Sequence, residues 1–474
     1  MNAFVNAIDN QEARTANGMK ARTNTANACV DLFFAIGASR GKNIIPQFTA
    51  AFVENSDLAL RIAAWARDVR GGAGEREIYR AILRHLEVAS PADAERLLKI
   101  TLDIGRADDM LVFSTTPLKE KAFTLLGNEL RVKNGLVAKW MPREKSADKN
   151  IAFDFMKFFG MTPKQYRKSL VGMTNVVETQ MCSGSWDKIN YSHVPSVAHA
   201  RYKKAFGRHG TTYAEYVTKL VKGEDGVKIN ASAIFPHDVL KGRISAYGAT
   251  MTEQELSVIE AQWAALPNYI SDASVLPLVD VSGSMTCAAD KKGTTTCLDV
   301  AVSLGLYFAD KNKGAFKDCV LTFSGNPQLV KLRGNINQKI DQMVKTDWAM
   351  DTNLNKAFEK ILSTAISGQV PPAEMPGTLV IFSDMQFNDC ITHDDSAMQM
   401  IERKYADAGY DLPKVVFWNL NAADNVPVAF DKSGAALVSG FSPAVASAIL
   451  TGDMDNFTPE AIMLKAVMNS RYSV

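Results

Sequence analysis

Apolar residues recur every three to four positions through the first part of the chain and gather into short unbroken runs through the last part. Across 57–68, Leu58, Ile62, Ala63, Trp65 and Ala66 keep the period of a helix with one buried stripe. Gly71-Gly72-Ala73-Gly74 interrupts it, and the period resumes over 75–87 with Ile78, Ile82 and Leu86 on one face. Ser90-Pro91-Ala92-Asp93 reads as a helix start, with a Ser cap, Pro at the first helical position and an acid in the first turn. Leu97, Leu98, Ile100 and Leu102 follow, and Gly105 closes the run. Short amphipathic helices joined by short turns predict antiparallel pairs stacked as a HEAT-like α-solenoid. No sequence period fixes a repeat register.

From about residue 275 the pattern changes. The segments 275–280, 319–323, 378–382 and 414–418 are apolar runs suited to buried strands. Between and around them, 297–310, 336–344, 354–365 and 396–408 read as helices. That alternation predicts a doubly wound, mainly parallel sheet covered on both faces. The fold class expected is therefore α plus α/β: a helical-repeat region over 1–270, a Rossmann-like α/β domain over 271–445 and a helical tail over 446–474.

Composition narrows the function classes. The 474 residues are 47% hydrophobic and 22% charged, which excludes a disordered chain. No apolar run spans a bilayer and no secretory signal opens the chain, so a cytoplasmic protein without a membrane role is expected. The six cysteines stand at 29, 182, 287, 297, 319 and 390 with no Cys-x-x-Cys pair, so reduced thiols are expected rather than a zinc site. Cys287 and Cys297 bracket one loop and can pair if oxidised. The net charge of +2 divides into +8 over 1–270 and −6 over the remainder. An anionic partner for the first part fits that division, and so does an ordinary bias of helix surfaces.

Basic residues concentrate in three groups. Arg131, Lys133, Lys139, Arg143 and Lys145 form the first, Arg167 and Lys168 the second, and Arg201, Lys203, Lys204 and Arg208 the third, interleaved with Tyr202 and Phe206. Such residues pair with phosphates, and aromatics stack on unpaired bases. Three solvated helix faces would show the same pattern. Gly71-Gly72-Ala73-Gly74 lacks the Gly-Lys-Ser/Thr ending of a phosphate loop and reads as a helix–helix turn, with anion capture at the next helix start as the alternative.

The predicted strand ends carry the most distinctive chemistry. Asp280-Val281-Ser282-Gly283-Ser284 follows the first strand, Asp351-Thr352-Asn353 opens a helix, and Ser383-Asp384-Met385 follows a later strand. Asp280, Ser282, Ser284, Thr352 and Asp384 supply the oxygen donors a hard divalent cation takes. An Asp-Gly turn with Ser neighbours is also a good helix cap. The set resembles the metal-ion-dependent adhesion site of von Willebrand factor A domains. That resemblance implies Mg²⁺ or Mn²⁺ and one coordination position left for an acidic ligand or a partner's carboxylate. The 286–296 loop is longer than the family pattern and sits beside that position.

A helical basic region joined to such a domain resembles the Ro ribonucleoprotein (TROVE) family. It is more similar still to a Ro-related group known only as a domain of unknown function. The residues concerned are Arg67-Asp68-Val69-Arg70-Gly71-Gly72, Gly105-Arg106-Ala107-Asp108-Asp109, Lys139-Trp140-Met141-Pro142-Arg143-Glu144, Pro236-His237-Asp238, Trp348, Ser383-Asp384-Met385-Gln386-Phe387 and Val438-Ser439-Gly440-Phe441-Ser442. The resemblance implies helical repeats that close into a ring, binding of small non-coding or single-stranded RNA, and a monomer. The alternative is a metal-dependent protein-interaction or assembly module, such as an ATPase partner, without an RNA role. Catalysis is not expected. His193 and His199 lie off the spacing of a helical zinc pair, and no Gly-x-Ser-x-Gly appears.

Overall fold

The computed structural model describes residues 12–244, 251–270, 274–290, 293–323, 326–346, 353–388, 397–422, 425–450 and 456–474. A short hairpin, β1 (Glu12–Arg14) and β2 (Lys20–Arg22), opens it. Helices α1 (Ala28–Ile36), α2 (Ile45–Glu54), α3 (Ser56–Arg67), α4 (Arg76–Ala89) and α5 (Pro91–Ile104) follow. Each packs on the next, and α1 on α3, α2 on α4 and α3 on α5, as stacked helical pairs require. After a 3-10 segment, Ala107–Thr115, come α6 (Lys119–Arg131), α7 (Gly135–Trp140), α8 (Lys149–Phe158), α9 (Pro163–Met173) and α10 (Val177–Cys182). The layer ends with α11 (Ser196–His209), α12 (Tyr213–Lys222), α13 (Pro236–Val239) and α14 (Glu253–Ala264). Ser90 stands at the expected cap of α5, but its hydroxyl bonds the Asp93 carboxylate at 2.6 Å instead of a backbone amide.

The expected strands are β3 (Val275–Asp280), β4 (Cys319–Phe323), β6 (Thr378–Ser383) and β7 (Lys414–Asn419), and two more are present, β5 (Leu329–Lys331) and β8 (Ala435–Ser439). The sheet order is β5-β4-β3-β6-β7-β8, parallel throughout except for β5 on β4. Its helices are α15 (Cys297–Lys311), α16 (Ile336–Val344), α17 (Leu354–Ser367), α18 (Ala397–Asp407), α19 (Ala446–Leu450) and α20 (Pro459–Val467). Strands β3, β6 and β8 are buried along their whole length, as a parallel sheet covered on both faces demands. Helix α15 lies hard against β3 because residue 305 is glycine: a Cβ there would stand 2.2 Å from Cγ2 of Val279.

The helical layer meets the α/β unit at both of its ends, within one chain. At the first end, Ser439 donates to the Phe33 carbonyl at 2.9 Å and accepts from the Gly37 amide at 3.0 Å. A Cβ at Gly37 would overlap the Ser439 carbonyl, so glycine permits this approach. At the other end, the Trp263 indole donates to Asp310 at 3.0 Å, and the Glu260 carboxylate accepts the Ile336 and Asn337 amides that open α16. The C-terminal residues return to the first helices, where Tyr472 donates to Asp68 at 3.2 Å and Arg471 pairs with the same carboxylate.

Buried ion pairs explain the resembling motif at 67–76. Arg67 and Asp109 are both buried and pair at 2.7 Å, and Arg80 reaches the other Asp109 oxygen at 2.7 Å. Glu75, also buried, pairs with Arg40, whose guanidinium stacks 4.1 Å above the Phe441 ring. The glycine run is the turn between α3 and α4, and the Ala73 and Glu75 amides satisfy the Trp65 and Ala66 carbonyls at the end of α3. Removing one member of a buried pair leaves the other charge uncompensated. Asp109→Ala is expected to cost about 3–5 kcal/mol in chemical denaturation. Arg76→Ala, which loses only an exposed pairing with Glu77, is expected to stay within about 0.5 kcal/mol. Equal effects would refute the assignment of a structural network.

Candidate functional site

Strand order reverses between β3 and β6, and ligands of open α/β sheets bind outside the strand ends at such a point. Asp280 ends β3 and Asp384 follows β6, so the topology alone brings these two carboxylates together. Both are buried. Asp280 Oδ2 accepts from the Ser383 hydroxyl at 2.6 Å and Oδ1 from the Ser282 amide at 3.0 Å. The Ser282 and Ser284 hydroxyls touch at 3.0 Å. Ser282 occupies the cap position of a 3-10 turn, Gly283–Thr286, without capping it, so its hydroxyl remains with the carboxylates. Asp384 Oδ1 accepts the Gln386 amide at 3.2 Å. Thr352, the fifth expected ligand, lies outside the described residues, as do Trp348 and Asp351. Asn353 does cap the following helix, accepting from the Lys356 amide at 3.0 Å.

Burial, and then the Asp384 charge, push the Asp280 carboxyl up to about 7 against the hydrogen bonds from Ser383 and Ser282. Burial likewise raises Asp384, opposed by the Gln386 amide and the Ser284 hydroxyl. Among the described residues neither carboxylate has an ion-pair partner within 4 Å. Lys42, whose charge favours ionised Asp384, is turned to the Asn421 side chain at 2.7 Å and to the Ala422 carbonyl. Two adjacent buried acids with hydroxyls at their side and no paired cation form a donor set fitted to a hard divalent ion. Among the described residues no three His, Cys, Asp or Glu side chains are grouped to hold a metal, so such a site must draw on hydroxyls.

Two features around this point are not visible in the local sequence pattern. Met385 adopts φ 64° while fully buried, a conformation that non-glycine residues avoid and that directs the turn after Asp384. The β1–β2 hairpin lies over the same turn. The Ala16 amide donates to the Gln386 side chain at 2.6 Å, Asn17 donates to the Gln386 carbonyl at 2.6 Å, and Thr15 donates to the Phe387 carbonyl. The 286–296 loop, described except for 291–292, folds back on itself through an Ala289–Thr295 hydrogen bond of 2.8 Å.

The basic groups adjoin one another. Arg167 on α9 pairs at 3.0 Å with Glu144, next to Arg143 and Lys145. Lys139 on α7 pairs at 3.4 Å with Glu178 on α10, and the same carboxylate lies 3.5 Å from the Tyr202 hydroxyl on α11. Two glutamates thus stitch the three groups together. Arg143 is committed to structure, donating to the Ala138 carbonyl at 3.2 Å and to Thr174 at 3.4 Å. Arg131 leans on Asn128 and the Phe159 ring. Lys204 lies 3.9 Å from Glu255. Lys203 is buried rather than displayed on the surface. Lys133, Lys145, Lys168, Arg201 and Arg208 are exposed, and their side chains bond no described residue.

Residues 15–94 and 139–276 match a family described as a domain of unknown function (DUF2828), and residues 274–470 match another, DUF7788. The chain belongs to the same family as the uncharacterized protein L728 of Acanthamoeba polyphaga mimivirus. The two are 31% identical over 95% of this chain and 86% of that protein. Among solved structures, the crystal structure of the Deinococcus radiodurans RO (RSR) protein matches with a TM-score of 0.50 at 15% identity. That match covers 93% of this chain and 99% of the other. The fold is therefore Ro-like. No helix among the described residues is long and apolar enough to cross a membrane.

The Cys287 and Cys297 sulfurs, at the two ends of the loop beside the acidic site, stand 3.3 Å apart as free thiols. Cys29 is buried in another part of the core. Diamide is expected to join Cys287 to Cys297 within one chain while Cys29 stays reduced, as read by non-reducing peptide mapping. Recovery of Cys287 only in mixed disulfides would contradict the contact.

Proposed function

We propose that this protein is a Ro-like RNA-binding protein. It captures single-stranded or structured small RNA on the basic surface of α7 to α11. The observation that carries this reading is the meeting of the three basic groups on adjoining helices, with five exposed cations left free of internal partners. Phosphates supply the missing counter-charge, and Tyr202 among the third group offers a ring edge to unpaired bases. The Ro-like fold supports the same reading, as does the resemblance of the sequence to that family. We read the protein as a binder rather than an enzyme, because its sequence carries neither a Gly-x-Ser-x-Gly nucleophile elbow nor a helical zinc pair.

The α/β unit is read as a von Willebrand A-type domain. Asp280, Ser282, Ser284 and Asp384, with Thr352 added by the sequence resemblance, would hold Mg²⁺ or Mn²⁺. A cation held there supplies an open position for a carboxylate from an acidic ligand or protein partner. The chain's own contribution is to bury and orient the donors. Ser383 fixes one Asp280 oxygen, the Ser282 amide fixes the other, and the β1–β2 hairpin holds the turn that carries Asp384.

Five phosphate contacts predict a log–log salt slope of about −3.5 for single-stranded RNA. The combined variant Lys145→Glu, Lys168→Glu, Arg201→Glu is expected to weaken binding and to make that slope shallower by about 2 units in a fluorescence-anisotropy titration. Salt-independent binding, or none at low salt, would favour the metal-dependent protein-interaction module instead. For the second site, Asp280→Asn is expected to lower Mn²⁺ affinity about tenfold or more by calorimetry. Its RNA affinity is expected to stay within about threefold, because the two sites share no partners. A folded variant that loses both would refute the division of labour.

A further inference from the structure

Between α11 and the start of α14 lies a cavity of about 300 Å³, and the basic surface leads into it. Its wall includes Lys203, Lys204, Gly207, Arg208, Tyr213 and Glu255. Lys203 is only 9% exposed and its side chain makes no hydrogen bond or salt bridge to a described residue; burial lowers its pKa, opposed by the Glu255 charge. The Lys203 stem is packed away while its ammonium reaches the cavity, where Glu255, shared with Lys204, leaves room for an anion to add counter-charge. Beneath it His199 is buried, and burial and then the Lys203 charge push it down to about 4, so it stays neutral and adds no charge.

The start of α14 completes the wall. Thr252 and Glu255 cap each other's amides, with the Thr252 amide 3.0 Å from the Glu255 carboxylate and the Glu255 amide 3.2 Å from the Thr252 hydroxyl. The Glu253 and Gln254 amides of that first turn have no intrahelical acceptor. Three cations against one carboxylate leave the cavity with a charge of +2. Tyr213 and Val258 add apolar surface. We propose that this cavity binds the dianionic phosphomonoester of a nucleotide, with Lys203 and Arg208 on the phosphate oxygens. The volume suits one nucleotide. Two sources offer this chemistry, a free mononucleotide and the 5′-phosphorylated end of an RNA. Only the second rests on the RNA-binding reading.

The test uses the full chain and four probes: UMP, uridine, and one oligouridylate carrying either a 5′-phosphate or a 5′-hydroxyl. UMP is expected to bind about tenfold or more tighter than uridine, and the phosphorylated end tighter than the hydroxyl end. Lys203→Met is expected to remove both differences. Gly207→Leu provides a variant that keeps every charge, since a Cβ at 207 already stands 3.2 Å from the Gln254 side chain and a longer side chain fills the cavity. It is expected to abolish the phosphate preference while leaving salt-dependent RNA binding in place. If both RNAs bind equally and UMP does not bind, the cavity proposal falls and the RNA reading stands. If UMP binds and neither RNA does, the cavity stands as a mononucleotide site and the RNA reading falls. A phosphate preference that survives in folded Gly207→Leu would overturn the location.

Discussion

The Asp68 carboxylate is where the two ends of this chain are tied together. It sits at the end of α3, buried, where an unpaired charge is not tolerated. Its partners are Arg471 and the Tyr472 hydroxyl, nearly the last residues of the sequence. Arg471 also donates to the Asp103 carbonyl at 2.9 Å, so the tail spans α3 and α5 at once. A helix layer that begins on β8, returns to α15 and α16 through α14, and is clamped by the tail at Asp68 follows a closed path. The helix layer thus contacts the α/β unit at both of its ends within one chain.

That closure also explains why the motif from Arg67 to Arg76 is not a binding loop. Arg67, Glu75 and Asp109 spend their charges on one another and on Arg40 and Arg80, and Gly72 is needed because a Cβ there would collide with the Trp65 carbonyl. An anion at this turn would compete with Glu75 for Arg40 in a buried site. The free charges of the helical layer lie farther along, on α9 and α11 and in the loops after α6 and α7, where the acids Glu144 and Glu178 space the cations without neutralising all of them.

The main strands and helices were legible in the sequence because each carries its own signal: a continuous apolar run for β3, β4, β6 and β7, and a 3.6-residue stripe for α3 to α5. The short strands β5 and β8 and the β1–β2 hairpin were missed. Each is only three to five residues long, too short to show a period of its own, and is held by its partner strand, as Leu329 by Leu321 and Ala435 by Val415. The acidic pair was legible because the strand ends of a parallel sheet converge whatever the loops do. The hairpin over Gln386 was not, since it depends on residues some 370 positions apart. The basic groups were legible as charges and not as a surface. Glu144 and Glu178, which join them, look in the sequence like ordinary surface acids, and Lys203 gives no local sign of its burial.

The apolar side chains fall into two clusters with different consequences for binding. The larger runs from α1 through the sheet to the tail. The smaller joins Val177, Tyr191, Phe206, Tyr213, Tyr216 and Val258, and it supports α11, the cavity and the start of α14. Rings dominate it: Tyr191 packs on Phe206, Tyr213 and Tyr216 at centroid separations of 5.3, 4.8 and 5.3 Å. Units with separate cores can open independently of one another. The densest basic helix therefore sits on the smaller core, apart from the sheet that orients Asp280 and Asp384. The basic surface and the acidic pair are separated by packing as well as by position. One direct route between them runs through the Trp263–Asp310 and Glu260–Asn337 contacts, where α14 meets α15 and α16.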